Sequence, residues 1–540
     1  MFTPVTNACC LFVAWLVLRN YRWLTHRSIW YIRGPSVKSA LLGNVRDMAY
    51  QENVGDLDFK YMREYGAVWK MQYALGSKVL MVADPKALQH IFHKSGYLYP
   101  KTTQARLSAF IIAGKNILWA PTGDIHSRHR KVMNPAFSTP QLRSFLPIFR
   151  KSSAKLCQLW KDQILSQAPG GATILVNIWL ARTTLDVIGE AAFGFEFGAL
   201  YNSDNELSKA YHNMFADSML YPTAWNAVFQ TLWDYIPDSI LECVRYVPTR
   251  EYARFQYTMR IFNKYSQQLI AQKSAAPVDD KSSRDVMSIL VRANASEDPR
   301  SKLSDEEMVS EMCALTLAGH ETTANTITWM LWELAKHPEY QEKLRVEIAQ
   351  KRAEVIARGE SDFGVDDLES MGYFQATIKE TLRYHCIVFH LNRVASQDDV
   401  IPLTYPIVTS IGKTISEIPV AAGQVIMPNI AVYNRLPEMW GADAHEWDPM
   451  RYIDGRVHTQ IRLGMFENLM TFSAGVRGCI GWRFSVIETQ AIVADLIENF
   501  QFSIPEDKPE IVRVPATIMS PMVKGMMHEG SQMPLHVTIV

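Results

Sequence analysis

The sequence predicts a mainly α-helical protein with small β-sheets, an α+β fold, and three observations carry that reading. An apolar-periodic stretch from Ser304 to His337, with a start and a stop signal, is long enough to cross a whole domain. The β-like runs are short and scattered along the chain. No internal repeat or low-complexity linker divides the 540 residues.

Taken in chain order, the first element is "ACCLFVAWLVL", Ala8 to Leu18. As a helix it spans ~16 Å, and the uncharged stretch from Met1 about 27 Å, a marginal match to a hydrocarbon core of about 30 Å. No basic segment precedes it and no small-x-small cleavage site follows. Arg19, Arg22, Arg27 and Arg33 come directly after, among Tyr21, Trp23, Trp30 and Tyr31. That flank predicts an uncleaved anchor within residues 1–28 whose C-terminal side faces the cytosol; a buried first helix is the competing reading.

Further along, Val68 to Pro85 holds two β-like runs around Leu75-Gly76-Ser77, which predicts a hairpin. The polar stretch Ala275 to Arg300 reads as a surface loop. In the long helix Ser304 and Glu307 form a capping box, Leu303 and Met308 a staple, and Pro338 the stop. A β-rich stretch follows from Val400 to Val432, and "MPLHVTIV" predicts a closing strand.

Composition narrows the function. Fifty-five basic side chains balance 55 acidic ones, so the bulk charge predicts no nucleic-acid partner. The seven cysteines are odd in number, widely spaced and without a CxxC, which speaks against a disulfide framework or a zinc site. Most read as small buried apolar residues. Cys479, in "TFSAGVRGCIGWRFS", is the exception.

A thiolate serves as nucleophile, zinc ligand or haem-iron ligand. The first needs a base and the second needs companion ligands. A haem ligand needs backbone N–H groups around the sulfur and a close approach of the chain. Gly475, Gly478 and Gly481 allow a sharp turn, and a helix starting just after Cys479 points its free N–H groups at the sulfur. Arg477 is placed to reach a haem propionate and Phe472 to cover the thiolate.

Phe472, Gly475, Arg477, Cys479 and Gly481 together resemble the haem-binding signature of the cytochrome P450 haem-thiolate monooxygenases, Phe-x-x-Gly-x-Arg-x-Cys-x-Gly. The resemblance runs from Gly34-Pro35 to the end, and the closing "SPMVKGMMHEGSQMPLHV" is most like fungal microsomal members. "AGHETT", Ala318 to Thr323, is similar to the family's oxygen-activation motif: a small pair, Ala318-Gly319, leaves room over the iron, and Glu321 and Thr322 supply an acid and an alcohol for proton delivery. Glu380 and Arg383, one turn apart, resemble the family's Glu-x-x-Arg, which implies a buried network with Arg451. Met450 stands where that downstream motif usually has a glutamate. "GDIHSRHRKVMNPAF" is similar to the helix that touches the propionates, with His126 for the usual tryptophan and Arg130 four residues on; Arg393 is a further propionate partner by the same resemblance.

The resemblance implies the cytochrome P450 fold, a long central helix over the haem and a cysteine-ligand loop beneath it. It implies residues 29–540 as one catalytic domain, and haem b with Cys479 as its axial thiolate. The activity implied is insertion of one atom of dioxygen into a hydrophobic small molecule. Electrons would come from an NADPH-dependent partner, NADPH-cytochrome P450 reductase, since the chain has no flavin or nicotinamide fingerprint. The expected location is the endoplasmic reticulum membrane, with the catalytic domain cytosolic. Two alternatives remain: a haem-thiolate isomerase or dehydratase needing no reductase, and a haem sensor without turnover. The expected pocket includes Leu315, Ala318, Ile387 and Ile518 and reaches Thr102–Trp119 and Tyr211–Tyr221, mostly apolar walls. A terpenoid or other secondary-metabolite intermediate is the substrate class that family analogy suggests.

Overall fold

The computed structural model describes residues 29–540 apart from 168–169, 203, 248, 276–284, 297–301 and 458–460. The expected anchor, residues 1–28, therefore lies outside the described residues. Helices dominate, and one contiguous set of buried apolar residues runs from Ile29 to Val537.

The elements that position the site are, in chain order, α1 (Asp56–Tyr65), β1 (Val68–Gln72), β2 (Lys78–Val82), α2 (Thr103–Ala113), α3 (Asp124–Met133), α4 (Leu146–Gln167), β3 (Ala172–Leu175) and α5 (Val176–Phe193). Next come α6 (Ala224–Leu232), α7 (Arg250–Ala275), α8 (Val286–Ser296), α9 (Asp305–Lys336), α10 (Pro338–Ala357) and α11 (Gly372–Tyr384). The last part holds β4 (Arg393–Val394), β5 (Asp399–Val408), β6 (Thr414–Val420), β7 (Val425–Pro428), α12 (Trp482–Asn499), β8 (Phe500–Ser503), β9 (Ile511–Ala516), β10 (Ile518–Val523) and β11 (Pro534–Ile539).

The hairpin expected over Val68–Pro85 forms, with Val68 opposite Val82 and Gln72 opposite Lys78. It joins a mixed sheet of order β1-β2-β7-β4, in which β2 and β7 run parallel. The closing strand β11 pairs antiparallel with both β3 and β8, so the chain end is held between a segment far upstream and the strand that follows α12. β5–β6 and β9–β10 are separate two-stranded ribbons.

At 32 residues, α9 is about 48 Å long. Ser304 caps it and both arms of the capping box with Glu307 are made. Buried residues occupy nearly all sides of it, as befits a helix enclosed by α5, α7, α11 and α12. Four of its threonine hydroxyls are satisfied within the helix: Thr316, Thr322, Thr326 and Thr328 each donate to the carbonyl four residues back at 2.7–2.9 Å.

Two expectations need correction. The stretch Ala275–Arg300 is not all loop, because α8 forms within it. Val286, Met287 and Leu290 are buried and fasten α8 against α3 and α5, an apolar face that the polar flanks obscure in the sequence. The β-rich stretch also ends at Pro428, where Asn429 caps a single helical turn, Ile430–Tyr433, through Val432 N–H.

Candidate functional site

The cysteine loop is built from two short turns, Met470–Phe472 and Gly475–Arg477, that bring the chain to the start of α12. Gly475 has φ +64° and packs so tightly that a Cβ would lie 1.8 Å from the Phe92 carbonyl oxygen, so no other residue fits. The loop is closed by Cys479 N–H donating to Phe472 O at 2.9 Å and Gly478 N–H to Gly475 O at 2.9 Å. Arg130 on α3 clamps it from outside, donating to Gly478 O at 2.9 Å.

Cys479 lies deep in the molecule, yet its own surface is open, the position of a residue on the wall of an interior cleft. Burial raises its thiol pKa, while the Gly481 N–H and the Arg130 guanidinium pull against that rise. A metal cation bound at such a sulfur would displace the thiol proton and supply the missing counter-charge. The helix starts just after Cys479 as expected, with Gly481 as its cap, but the sharp turn expected of Gly481 is not made: its φ is −91° and a Cβ there would meet only Phe137, at 3.8 Å. Nothing in the polypeptide itself demands glycine at 481.

Four cations converge beside this loop: Lys101, Arg130, Arg393 and Arg477. Among the described residues none of them pairs with a carboxylate. Arg477 gives one nitrogen to Ala120 O at 3.0 Å and Thr122 Oγ1 at 3.2 Å, and its buried Nε and Nη1 have no partner. Burial and Arg477 bring Arg393 down to about 9. His126, four residues before Arg130, is buried with Nδ1 2.9 Å from the Tyr97 hydroxyl; burial and the surrounding cations lower it to about 3, so it is neutral. A thiol donor, orphaned buried guanidinium nitrogens and a patch without counter-charge fit a group that is metal-centred and dianionic at its edge, as haem is. Arg130, Arg393, Arg477 and Lys101 are the residues that would hold its carboxylates.

On α9 the residues of "AGHETT" face different ways. Ala318 is exposed to open space and Thr322, one turn on, is half-buried beside it. Gly319 does not contribute that room: its Cβ would lie 2.6 Å from Ile188 Cδ1, so the glycine lets α5 pack close. Thr322 Oγ1 donates to Ala318 O at 2.7 Å and is not bonded to Glu321. The Glu321 carboxyl instead borders a polar cleft of about 180 Å³ between α5, the segment around Tyr211–Asn213 and α9. Its Oε2 is buried without a partner, and burial raises its pKa to about 8. Tyr211 packs edge-on against His320, 4.8 Å between centroids, and lines that same cleft, so it does not share Ala318's face.

Glu380, Arg383 and Arg451 meet as a buried cluster. The Glu380 carboxylate accepts from Arg383 Nε at 2.7 Å and Nη2 at 2.8 Å, from Arg451 Nε at 3.2 Å and from Asp448 N–H at 2.8 Å. Asp443 adds an ion pair to Arg451 at 3.1 Å, supplying the anion that Met450 cannot. Arg383 also donates to the carbonyls of Asn434, Ala444 and Glu446, and the Asn434 side chain reaches Thr471 at 2.8 Å, which connects the cluster to the cysteine loop.

Leu315, Ile387 and Ile518 are all buried, and Met519 N–H donates to Ile387 O at 2.8 Å, bringing two of the expected pocket segments together. Phe472 is half-buried and packs 6.4 Å from Phe466. Sequence reasoning missed Lys101, Tyr97, Asp443 and the buried pair His129–Glu311, which joins α3 to α9 at 2.5 Å. Lys101, Tyr97, Asp443 and Glu311 lie in no recognisable motif. For His129 alone the adjacency to Arg130 was a usable signal.

Comparison with known proteins points to one family. The family model described as Cytochrome P450 matches residues 33–527. Cytochrome P450 monooxygenase 205 of Postia placenta is 33% identical over 518 residues, spanning 93% of this chain and 92% of the relative. The Ganoderic acid synthetase CYP5150L8 of Ganoderma lucidum is 31% identical over 517 residues, with 93% and 92% covered. Cytochrome P450 monooxygenase claQ of Ampulloclitocybe clavipes is 29% identical over 515 residues, with 94% and 92% covered.

Proposed function

The chain belongs to the cytochrome P450 family and is a monooxygenase of it, and from that premise we propose that it oxygenates a hydrophobic small molecule at a haem ligated by Cys479, with electrons from an NADPH-dependent reductase. When bound, haem supplies an iron centre at which dioxygen is activated and one oxygen atom is passed to the substrate. The observation that carries the reading is the pairing of the open thiol of Cys479 with cations that lack any protein anion.

The residues divide the remaining work. Gly475 and Arg130 hold the loop that aims the sulfur. Arg393 and Arg477 orient the cofactor's carboxylates, and neutral His126 holds Tyr97 in place beside them. Thr322 has its proton committed to Ala318 O, leaving its oxygen lone pairs free to accept a hydrogen bond on the open side. Glu321 is protonated below about pH 8 and faces a cleft wide enough for several waters, so it holds a proton at a wet boundary. The Glu380 cluster is structural.

For the substrate we propose an apolar compound, a terpenoid or a similar secondary-metabolite intermediate. Support comes from the buried Leu315, Ile387 and Ile518 and from the relative named a ganoderic acid synthetase. We also propose attachment to the endoplasmic reticulum membrane through residues 1–28. Among the described residues no helix is long and apolar enough to cross a membrane. The support is local: Trp30, Leu41 and Leu75 are 46%, 53% and 41% exposed where the chain leaves residues 1–28, and α6, carrying Trp225 at 71%, packs on the turn at Leu75.

The test is the carbon monoxide difference spectrum of the dithionite-reduced protein, followed by reductase-coupled NADPH oxidation. A strongly red-shifted Soret band that disappears in Cys479→Ala is expected. A band unchanged in that variant would overturn the ligand assignment, and substrate turnover without a reductase would overturn the electron route.

A further inference from the structure

Two consecutive residues of α3 grip the start of the central helix. Arg128 donates to Glu307 Oε1 at 2.5 Å and to Lys302 O at 2.6 Å. One residue on, the buried His129 imidazole stands between two carboxylates of α9, with Nδ1 2.5 Å from Glu311 Oε1 and Nε2 3.4 Å from Glu307 Oε1. α3 itself packs on α8, so its hold on α9 is made through these side chains. From Glu311 one face of α9 continues through Leu315, Ala318 and Thr322, at i+4, i+7 and i+11, and on that face Ala318 meets open space. Arg130, next to His129, donates to Gly478 O in the cysteine loop. The His129–Glu311 pair therefore connects the open face of α9 to the helix that clamps the loop, and the connection is one imidazole long. Further along, α9 is fixed by other contacts: Thr184 Oγ1 donates to His320 O at 2.9 Å, and the Thr323 and Ser485 hydroxyls meet at 2.9 Å.

We propose that His129 is a positioning residue: bonded to Glu311, it is a spacer that holds the open face of α9 off the cysteine loop, and so sets how large a group fits between Ala318 and the cofactor. This rests on the reading of the site as a haem site. Without the imidazole, Arg128 still holds the start of α9, while the face that begins at Glu311 settles toward the loop and the space narrows.

Purified full-length ferric holoenzyme is titrated with imidazole and with 4-phenylimidazole, and each Kd is read from the Soret shift that a nitrogen ligand produces. In His129→Ala the 4-phenylimidazole Kd is expected to rise about fivefold or more, the effect of forcing a bulky ring into a narrowed space, while the imidazole Kd stays within about twofold of wild type. His129→Gln, whose amide still reaches Glu311, is expected to keep both constants within about twofold of wild type. Glu311→Ala should reproduce the His129→Ala pattern, and the double variant should add nothing further. An unchanged ratio of the two constants, a ratio shifted the other way, equal weakening of both ligands, or additive effects in the double variant would overturn the proposal. Should His129→Ala fail to load haem, Glu311→Asp decides: it keeps the carboxylate and shortens the spacer by one methylene, and a ratio that does not move in the same direction overturns the spacer. Absence of a red-shifted carbon monoxide band in wild type would instead bring down the haem-thiolate reading itself.

Discussion

Glu321 and Thr322 sit side by side in sequence but work on two faces of one helix. The acid borders the polar cleft and the alcohol the open side near Ala318. Thr322→Ala is expected to leave NADPH consumption running while product falls several-fold and peroxide appears, measured as the ratio of product to NADPH. Glu321 carries a pH signature because its folded pKa of about 8 lies above the ordinary 4.5. Between those values the folded chain keeps the proton and the unfolded chain has lost it, so stability falls as pH rises through that window and levels off above it. Glu321→Gln removes the effect: the variant should gain on wild type from pH 5 to 8, by up to about 3–5 kcal/mol. Urea midpoints at several pH values check this, and parallel curves would refute it.

Between elements, two contacts decide whether the site is assembled. The Glu380 carboxylate is shared by two buried guanidinium groups, so Glu380→Gln strands charge in the core. A loss of about 3–5 kcal/mol is expected, seen as a lowered unfolding midpoint and poor haem incorporation. Gly319 sets the distance between α5 and α9. Gly319→Ala drives a methyl into Ile188 and should cost about 1–3 kcal/mol. Pairing it with Ile188→Ala should recover part of that loss, whereas strictly additive losses would show that the two residues do not meet.

For the whole molecule, the site depends on chain segments hundreds of residues apart: the Phe92 carbonyl, α3, α9 and the cysteine loop. Residues 29–540 contain every one of these parts, so deletion of residues 1–28 should leave the carbon monoxide spectrum intact while shifting the protein from the membrane pellet toward the soluble fraction. Sedimentation and spectra on one preparation check both halves, and loss of the spectrum would mean that the first 28 residues support the fold.

The helical class, the hairpin at Val68–Pro85, the capped central helix, the closing strand and the cysteine signature are all legible in the residues alone, because caps, period and motif spacing are local properties. That α8 forms inside a polar stretch emerges from the folded chain, since its helix depends on burial of Val286 and Leu290 by neighbours. The fold also decided that Gly319 serves packing, that Glu321 and Thr322 part ways, and that Asp443 takes the place left by Met450. Lys101 became visible only when Arg393 and Arg477 were brought beside it. Charge repulsion and close packing depend on distance in space, and one-dimensional spacing does not carry that distance.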